Sequence, residues 1–215
     1  MKSLQLKVLS VVASALAVVG VAVAPQATAA ERNLVAFGDS VLADPDAGSY
    51  LAHRYDPSKG VGVDCPTSNN YAKRAGAKLR LPVRDFSCSG AVSMSRGPQI
   101  FQQVDAAIRT GALSPATNRV VITTGFNDTY NHRDMSLPQI RKQFADRTAP
   151  QIERIKRAAP NARVQIVGYP TIGSGPYYCL FHFGPRPADW TFLPGIQDFE
   201  NKAQWMQVDL AARTG

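Results

Sequence analysis

Gly38-Asp39-Ser40 closes a short apolar run, Asn33-Leu34-Val35-Ala36-Phe37. A serine on a Gly-Asp turn directly after a strand suits a nucleophile, because the strand end fixes the backbone and Gly38 permits a tight turn. Its hydroxyl then stands at the carboxyl edge of the sheet, where open α/β sheets place ligands. The same tripeptide also suits an ordinary Asx turn or helix cap, since Asp and Ser favour both. What separates the readings lies further along. Ser89-Gly90-Ala91 follows one strand-like stretch, and Gly125-Phe126-Asn127-Asp128 follows another, Val120-Val121-Ile122-Thr123-Thr124. Turns that follow parallel strands lie at one edge and can converge. Acyl transfer needs a nucleophile and donors aimed at the developing oxyanion. Ser40 can attack. The backbone N–H groups of Ser40 and Gly90 and the side-chain amide of Asn127 can donate, each worth roughly 3 kcal/mol of barrier.

The elements that must position these residues read as follows. Residues 33–38, 83–87, 119–124 and 164–168 are short apolar strands. Residues 41–67 are rich in Asp, Gly and Pro and read as loop. A helix over 69–79 places Tyr71, Ala72, Ala75 and Leu79 on one face. A second over 99–110 aligns Ile100, Phe101, Val104, Ala107 and Ile108, with Gly111 as its stop. Ser136-Leu137-Pro138-Gln139 is a capping box with Pro in the first turn. The long helical pattern after it carries Ile140, Phe144, Ile152, Ile155 and Ala158, and Pro150 is expected to kink or divide it. A last helix over 194–213 carries Trp205, Met206, Val208 and Leu210. This alternation implies an α/β fold, a parallel sheet with helices on both faces. It supplies four strands and stops after a helix, so a fifth strand is expected to be missing and the chain to be C-terminally short.

Residues 1–30 read as an export signal. Lys2 and Lys7 form the positive start, 8–24 are apolar, and Ala27-Thr28-Ala29-Ala30 offers a small-residue cleavage site. The apolar stretch is marginal for a membrane span. Residues 31–215 then form one secreted domain, expected to be a monomer. The net charge of +8 is spread among acids, as at Arg54 near Asp56, Arg84 beside Asp85, and Lys142 near Asp146. No basic run with interleaved aromatics exists, so nucleic acid is not an expected partner. Weak attraction to an anionic cell envelope stays open beside a merely solvated surface. Nothing calls for a cofactor: Gly60-Val61-Gly62 lacks a third glycine, and no His/Cys cluster has metal-ligand spacing. Outside the cytosol Cys65 and Cys88 are spaced for a local disulfide worth about 3 kcal/mol, which leaves Cys179 over.

Gly38-Asp39-Ser40, then Gly90, then Gly125-Phe126-Asn127-Asp128 resemble, in order, the first three blocks of the SGNH (GDSL) hydrolases. With the export signal, Cys65 and Phe86-Ser87-Cys88-Ser89-Gly90-Ala91, the chain looks most like the secreted actinobacterial esterases and lipases of that family. The resemblance covers essentially all of 31–215, with Val41 where the family name implies Leu. It implies a flavodoxin-like three-layer α/β/α fold, no metal, and carboxylic ester substrates, small-molecule or lipid. It makes Ser40 the nucleophile and an oxyanion donor, Gly90 and Asn127 the other donors, and Asp39 a brace for the turn. The family's Asp-x-x-His block, which supplies the general base, has no counterpart in these 215 residues. The histidines are His53, His132 and His182, and His182, in an aromatic loop, is the best substitute. A chain with no such base is alternatively a non-catalytic binder of acyl or glycan ligands. Residues 169–190 are long for a loop and read either as a wall of the acyl pocket or as irregular packing.

Overall fold

The computed structural model describes residues 31–215 apart from 57, 61, 63 and 179–190. Residues 1–30, read above as an export signal, and Cys179, His182 and the apolar residues Leu180, Phe181, Phe183 and Trp190 lie outside the described residues. The chain runs β1 (Leu34–Gly38), α1 (Ser40–Ala43), α2 (Ala47–Arg54), α3 (Tyr71–Leu79), β2 (Val83–Asp85), α4 (Ile100–Arg109), β3 (Arg119–Thr123), α5 (Phe126–Asn131), α6 (Leu137–Ala158) and β4 (Arg163–Ile166). A short β5 (Gly173–Ser174), β6 (Tyr177–Tyr178) and β7 (Thr191–Phe192) precede α7 (Ile196–Thr214).

The main sheet has the order β2-β1-β3-β4, with every pair parallel. Composition explains the order. β1 is buried at every residue and β3 at all but its first, as strands covered on both faces must be. β2 (Val-Arg-Asp) and β4 (Arg-Val-Gln-Ile) carry charged and polar side chains and take the edges. One face packs Val35, Phe37, Val120 and Ile122 against Val104, Phe144, Ile152, Ile155, Met206 and Leu210 of α4, α6 and α7. The other packs Leu34, Ala36 and Val121 against Leu42 and Ala72. The architecture is therefore an α/β fold with a four-stranded parallel sheet flanked by helices, as the alternation predicts.

Several local expectations change. Residues 41–67 are not all loop, since α1 and α2 form there behind Asp39 and Asp46 caps. On α4, Phe101 and Ile108 are exposed while Gln103 is fully buried, because its amide is needed beneath the first turn. On α3 it is Ala72 and Gly76 that face the sheet, with Leu79 outside. Trp205 lies outside as well, under the Arg141 guanidinium at 4.6 Å. α6 passes through Pro150 as one helix: its capping box holds the start, and Phe144, Ile152 and Ile155 bury its inner face on both sides of the proline. The described part of 169–190 joins 191–192 in a small antiparallel sheet, order β5-β6-β7.

Candidate active site

The strand order changes direction between β1 and β3: β1 leads out to β2 on one side, and β3 leads out to β4 on the other. Such a switch point opens a crevice at the carboxyl ends of the strands. Ser40 directly follows β1, and Asn127 follows β3 across that crevice. Gly90 follows β2, the other neighbour of β1.

The first turn is fixed from several sides. Gly38 donates its N–H to Gln103 Oε1 and accepts from Gln103 Nε2, both at 2.9 Å, and its carbonyl also accepts the Cys88 N–H at 3.0 Å. A side chain at Gly38 would meet the Thr123 carbonyl at 2.7 Å, so close approach of β1 to β3 requires glycine. Asp39 donates its N–H to that same carbonyl at 3.1 Å. Its carboxylate Oδ1 caps the next turn by accepting the Val41 N–H at 3.0 Å. Ser40, exposed, starts α1, and its own N–H has no partner among the described residues.

Asp39 is fully buried, and burial pushes its carboxyl up to about 7 despite the hydrogen bonds from Tyr169 and Val41. The nearby Asp128 charge raises it further. Tyr169 Oη donates to Asp39 Oδ2 at 2.5 Å and accepts the Phe126 N–H at 3.1 Å. Burial and the Asp39 charge hold the Tyr169 phenol well above its ordinary value, so it stays a donor.

The turn after β3 is held just as firmly. Asp128, fully buried, accepts the backbone N–H groups of Ser93 at 2.8 Å, Met94 at 3.1 Å and Ser95 at 2.9 Å, and the Ser95 hydroxyl at 2.6 Å. Asn127 Nδ2 donates to the Ala91 carbonyl at 2.9 Å, which leaves its second N–H free to point elsewhere. Gly90, immediately before Ala91, is exposed at φ +80°, and no atom lies within 4 Å of where a side chain would begin. Backbone conformation, rather than close approach, is therefore what asks for glycine there. Its N–H has no partner among the described residues. Cys65 and Cys88 form a disulfide, Cα to Cα 5.2 Å, which ties the loop after α2 to the same turn.

Ser40, Gly90 and Asn127 thus stand on three segments tied to one another, and of the described histidines neither His53 nor His132 hydrogen-bonds to any of them. His53 sits on α2 and His132 closes α5, each with a buried Nε2 that has no partner among the described residues. Tyr169 and Gln103 are supporting residues that sequence reasoning did not single out, and Asp128 was read there only as part of the Gly125-Phe126-Asn127-Asp128 motif. Tyr169 had a signal, a polar aromatic residue just past a strand of the parallel sheet. Gln103 had one too, as the amide that interrupts the apolar side of α4.

The model of the GDSL-like lipase/acylhydrolase family matches residues 36–215. A search of curated sequences finds no match. Among solved structures the chain is similar to a phospholipase A1 from Streptomyces albidoflavus, with 20% identity, 86% of this chain and 75% of the other covered, and a TM-score of 0.50. It is also similar to an extracellular lipase from Streptomyces rimosus, with 22% identity, 85% and 74% covered, and a TM-score of 0.43. A family two carbohydrate esterase from Clostridium thermocellum matches at 15% identity, 85% and 63% covered, and a TM-score of 0.46. With nearly all of the folded domain inside the family match, the chain belongs to the GDSL-like lipases and acylhydrolases.

Proposed function

We propose that this is an exported serine ester hydrolase in which Ser40 attacks the acyl carbon, while the N–H groups of Ser40 and Gly90 and the Asn127 amide receive the oxyanion. The observation that carries the reading is the Asn127–Ala91 hydrogen bond: it locks the amide beside Gly90 and leaves one N–H to donate. Donors held before the reaction need no reorganisation during it, which is why such groups count for so much. The Cys65–Cys88 disulfide supports export, since such bonds persist in oxidising compartments. The substrates in this reading are small or lipid carboxylic esters.

In the reaction the Ser40 oxygen bonds to the acyl carbon, the bond to the leaving alcohol breaks, and the serine proton passes to a base. No Asp-x-x-His segment is present to supply that base. The 215-residue chain is therefore expected to acylate slowly, faster at higher pH and with added imidazole as the proton acceptor. The second reading is a pocket that binds acyl or glycan ligands without turnover. p-Nitrophenyl acetate with imidazole, followed by peptide mass analysis, separates the two. Acylation of Ser40 supports the hydrolase; an unmodified Ser40 supports the binder.

A further inference from the structure

A cavity of about 330 Å³ opens between α4 and α6, walled by Met94, Ile100, Phe101, Arg147, Thr148 and Gln151. Neither Ser40, Gly90 nor Asn127 lines it, so it is separate from the crevice described above. Its size is at the lower end for small-molecule pockets. The groups that α6 presents there are unused donors. Arg141 and Arg154 of the same helix pair with Asp209 and Asp105, but Arg147 has no ion-pair or hydrogen-bond partner among the described residues. Gln151 spends its Oε1 on Arg154 at 2.9 Å, which leaves its Nε2. Thr148 is 1% exposed, and its hydroxyl has no partner among the described residues. A buried hydroxyl left in this state is costly, so it points to a ligand that would satisfy it. No carboxylate lines the cavity among the described residues, and the wall opposite sets Ser93 and Gln99 beside an apolar patch of Met94, buried Ile100 and half-exposed Phe101.

We propose that this cavity is a binding site for a small carboxylate with a short apolar tail, the head on Arg147, Gln151 and Thr148 and the tail on Met94 and Phe101. An arginine fork matches a carboxylate with two parallel hydrogen bonds. A single cation suits a monoanion better than a phosphate dianion. The assignment does not depend on Ser40 being a nucleophile. The two sites are neighbours, since Ser93 and Met94 at the cavity wall give their N–H groups to Asp128, the residue after Asn127.

The test is titration of the full chain with hexanoate, read by NMR at the Met94 methyl and the Ser93–Ser95 amides. Saturable shifts are expected with hexanoate, and none with hexanol. Arg147→Gln, at an exposed helix position, should keep the fold by circular dichroism and weaken hexanoate binding at least tenfold. Ser40→Ala and Asn127→Ala should leave that binding unchanged. The proposal is overturned if wild type shows no saturable shift, if Arg147→Gln binds as tightly as wild type, or if binding disappears with Asn127→Ala. Inorganic phosphate binding as tightly as hexanoate would also overturn it.

Discussion

Tyr169 reaches across 130 residues of sequence to donate its hydroxyl to the buried Asp39 carboxylate. The same oxygen accepts the Phe126 N–H, so a single side chain joins the Ser40 turn to the Asn127 helix. The Tyr169 ring stacks obliquely on Phe126 at 5.3 Å, and its carbonyl is held by Gln204 of α7. The frame that holds Ser40 and Asn127 is thus braced from just beyond β4, on the far side of the crevice from Gly90.

Tyr169→Phe keeps the ring and removes the bridge. It leaves a buried carboxyl and a buried N–H without their shared partner, so stability should fall by about 1–3 kcal/mol. Ser40 acylation should slow at saturating ester, with KM little changed, because the loss is in orientation rather than binding. Denaturant unfolding and acylation kinetics on the same preparation check both parts.

Asp39 makes stability depend on pH in an unusual direction. Its pKa rises from 3.8 in the unfolded chain to about 7 in the fold, so the folded state holds the proton more tightly. The stabilisation is complete below pH 4 and is lost as pH rises through about 7. A shift of that size corresponds to a loss on the order of 4 kcal/mol. Asp39→Asn cannot ionise, so the stability difference between variant and wild type should move in favour of the variant between pH 5 and pH 8. Urea midpoints across that range measure it; a constant difference would show that Asp39 does not titrate there.

Asn127 and Asp128 are neighbours with separable jobs. Asn127→Ala should lower the rate of Ser40 acylation about a hundredfold, with little loss of stability. Asp128→Ala removes the acceptor of four hydrogen bonds and strands the Ser93–Ser95 N–H groups. It should cost about 3 kcal/mol or more of stability as well as rate. Thermal melts alongside the acylation assay distinguish the two.

The Cys65–Cys88 bond closes a loop with a sequence separation of 23. Constraint of the unfolded chain by a loop of that length is worth about 3 kcal/mol. Reduction should lower Tm by roughly 6–12 °C for a domain of this size. Calorimetry with and without reductant provides the check.

The central strands were legible in the sequence because parallel strands need continuous apolar runs, and Gly90 because its turn needs a positive φ, whereas Gly38 is glycine for the close approach of Thr123 on β3. The convergence of Ser40, Gly90 and Asn127 on one edge followed from the alternation of strands and helices. What was not legible lies in long-range polar contacts. Tyr169 and Asp39 are 130 residues apart, Gln103 and Gly38 65, and no local pattern encodes such partners. Phe101 and Ile108 misled for a related reason: periodicity marks one apolar face, but the protein set Gln103 inward to fasten Gly38.

The most direct test of the account is the acyl adduct. The 215-residue chain is incubated with p-nitrophenyl acetate and imidazole, digested, and mapped by mass spectrometry beside Ser40→Ala. The account predicts one acetyl group on the Ser40 peptide, formed faster as imidazole is added and absent from Ser40→Ala. An unmodified Ser40, or undiminished ester turnover by Ser40→Ala, would contradict it.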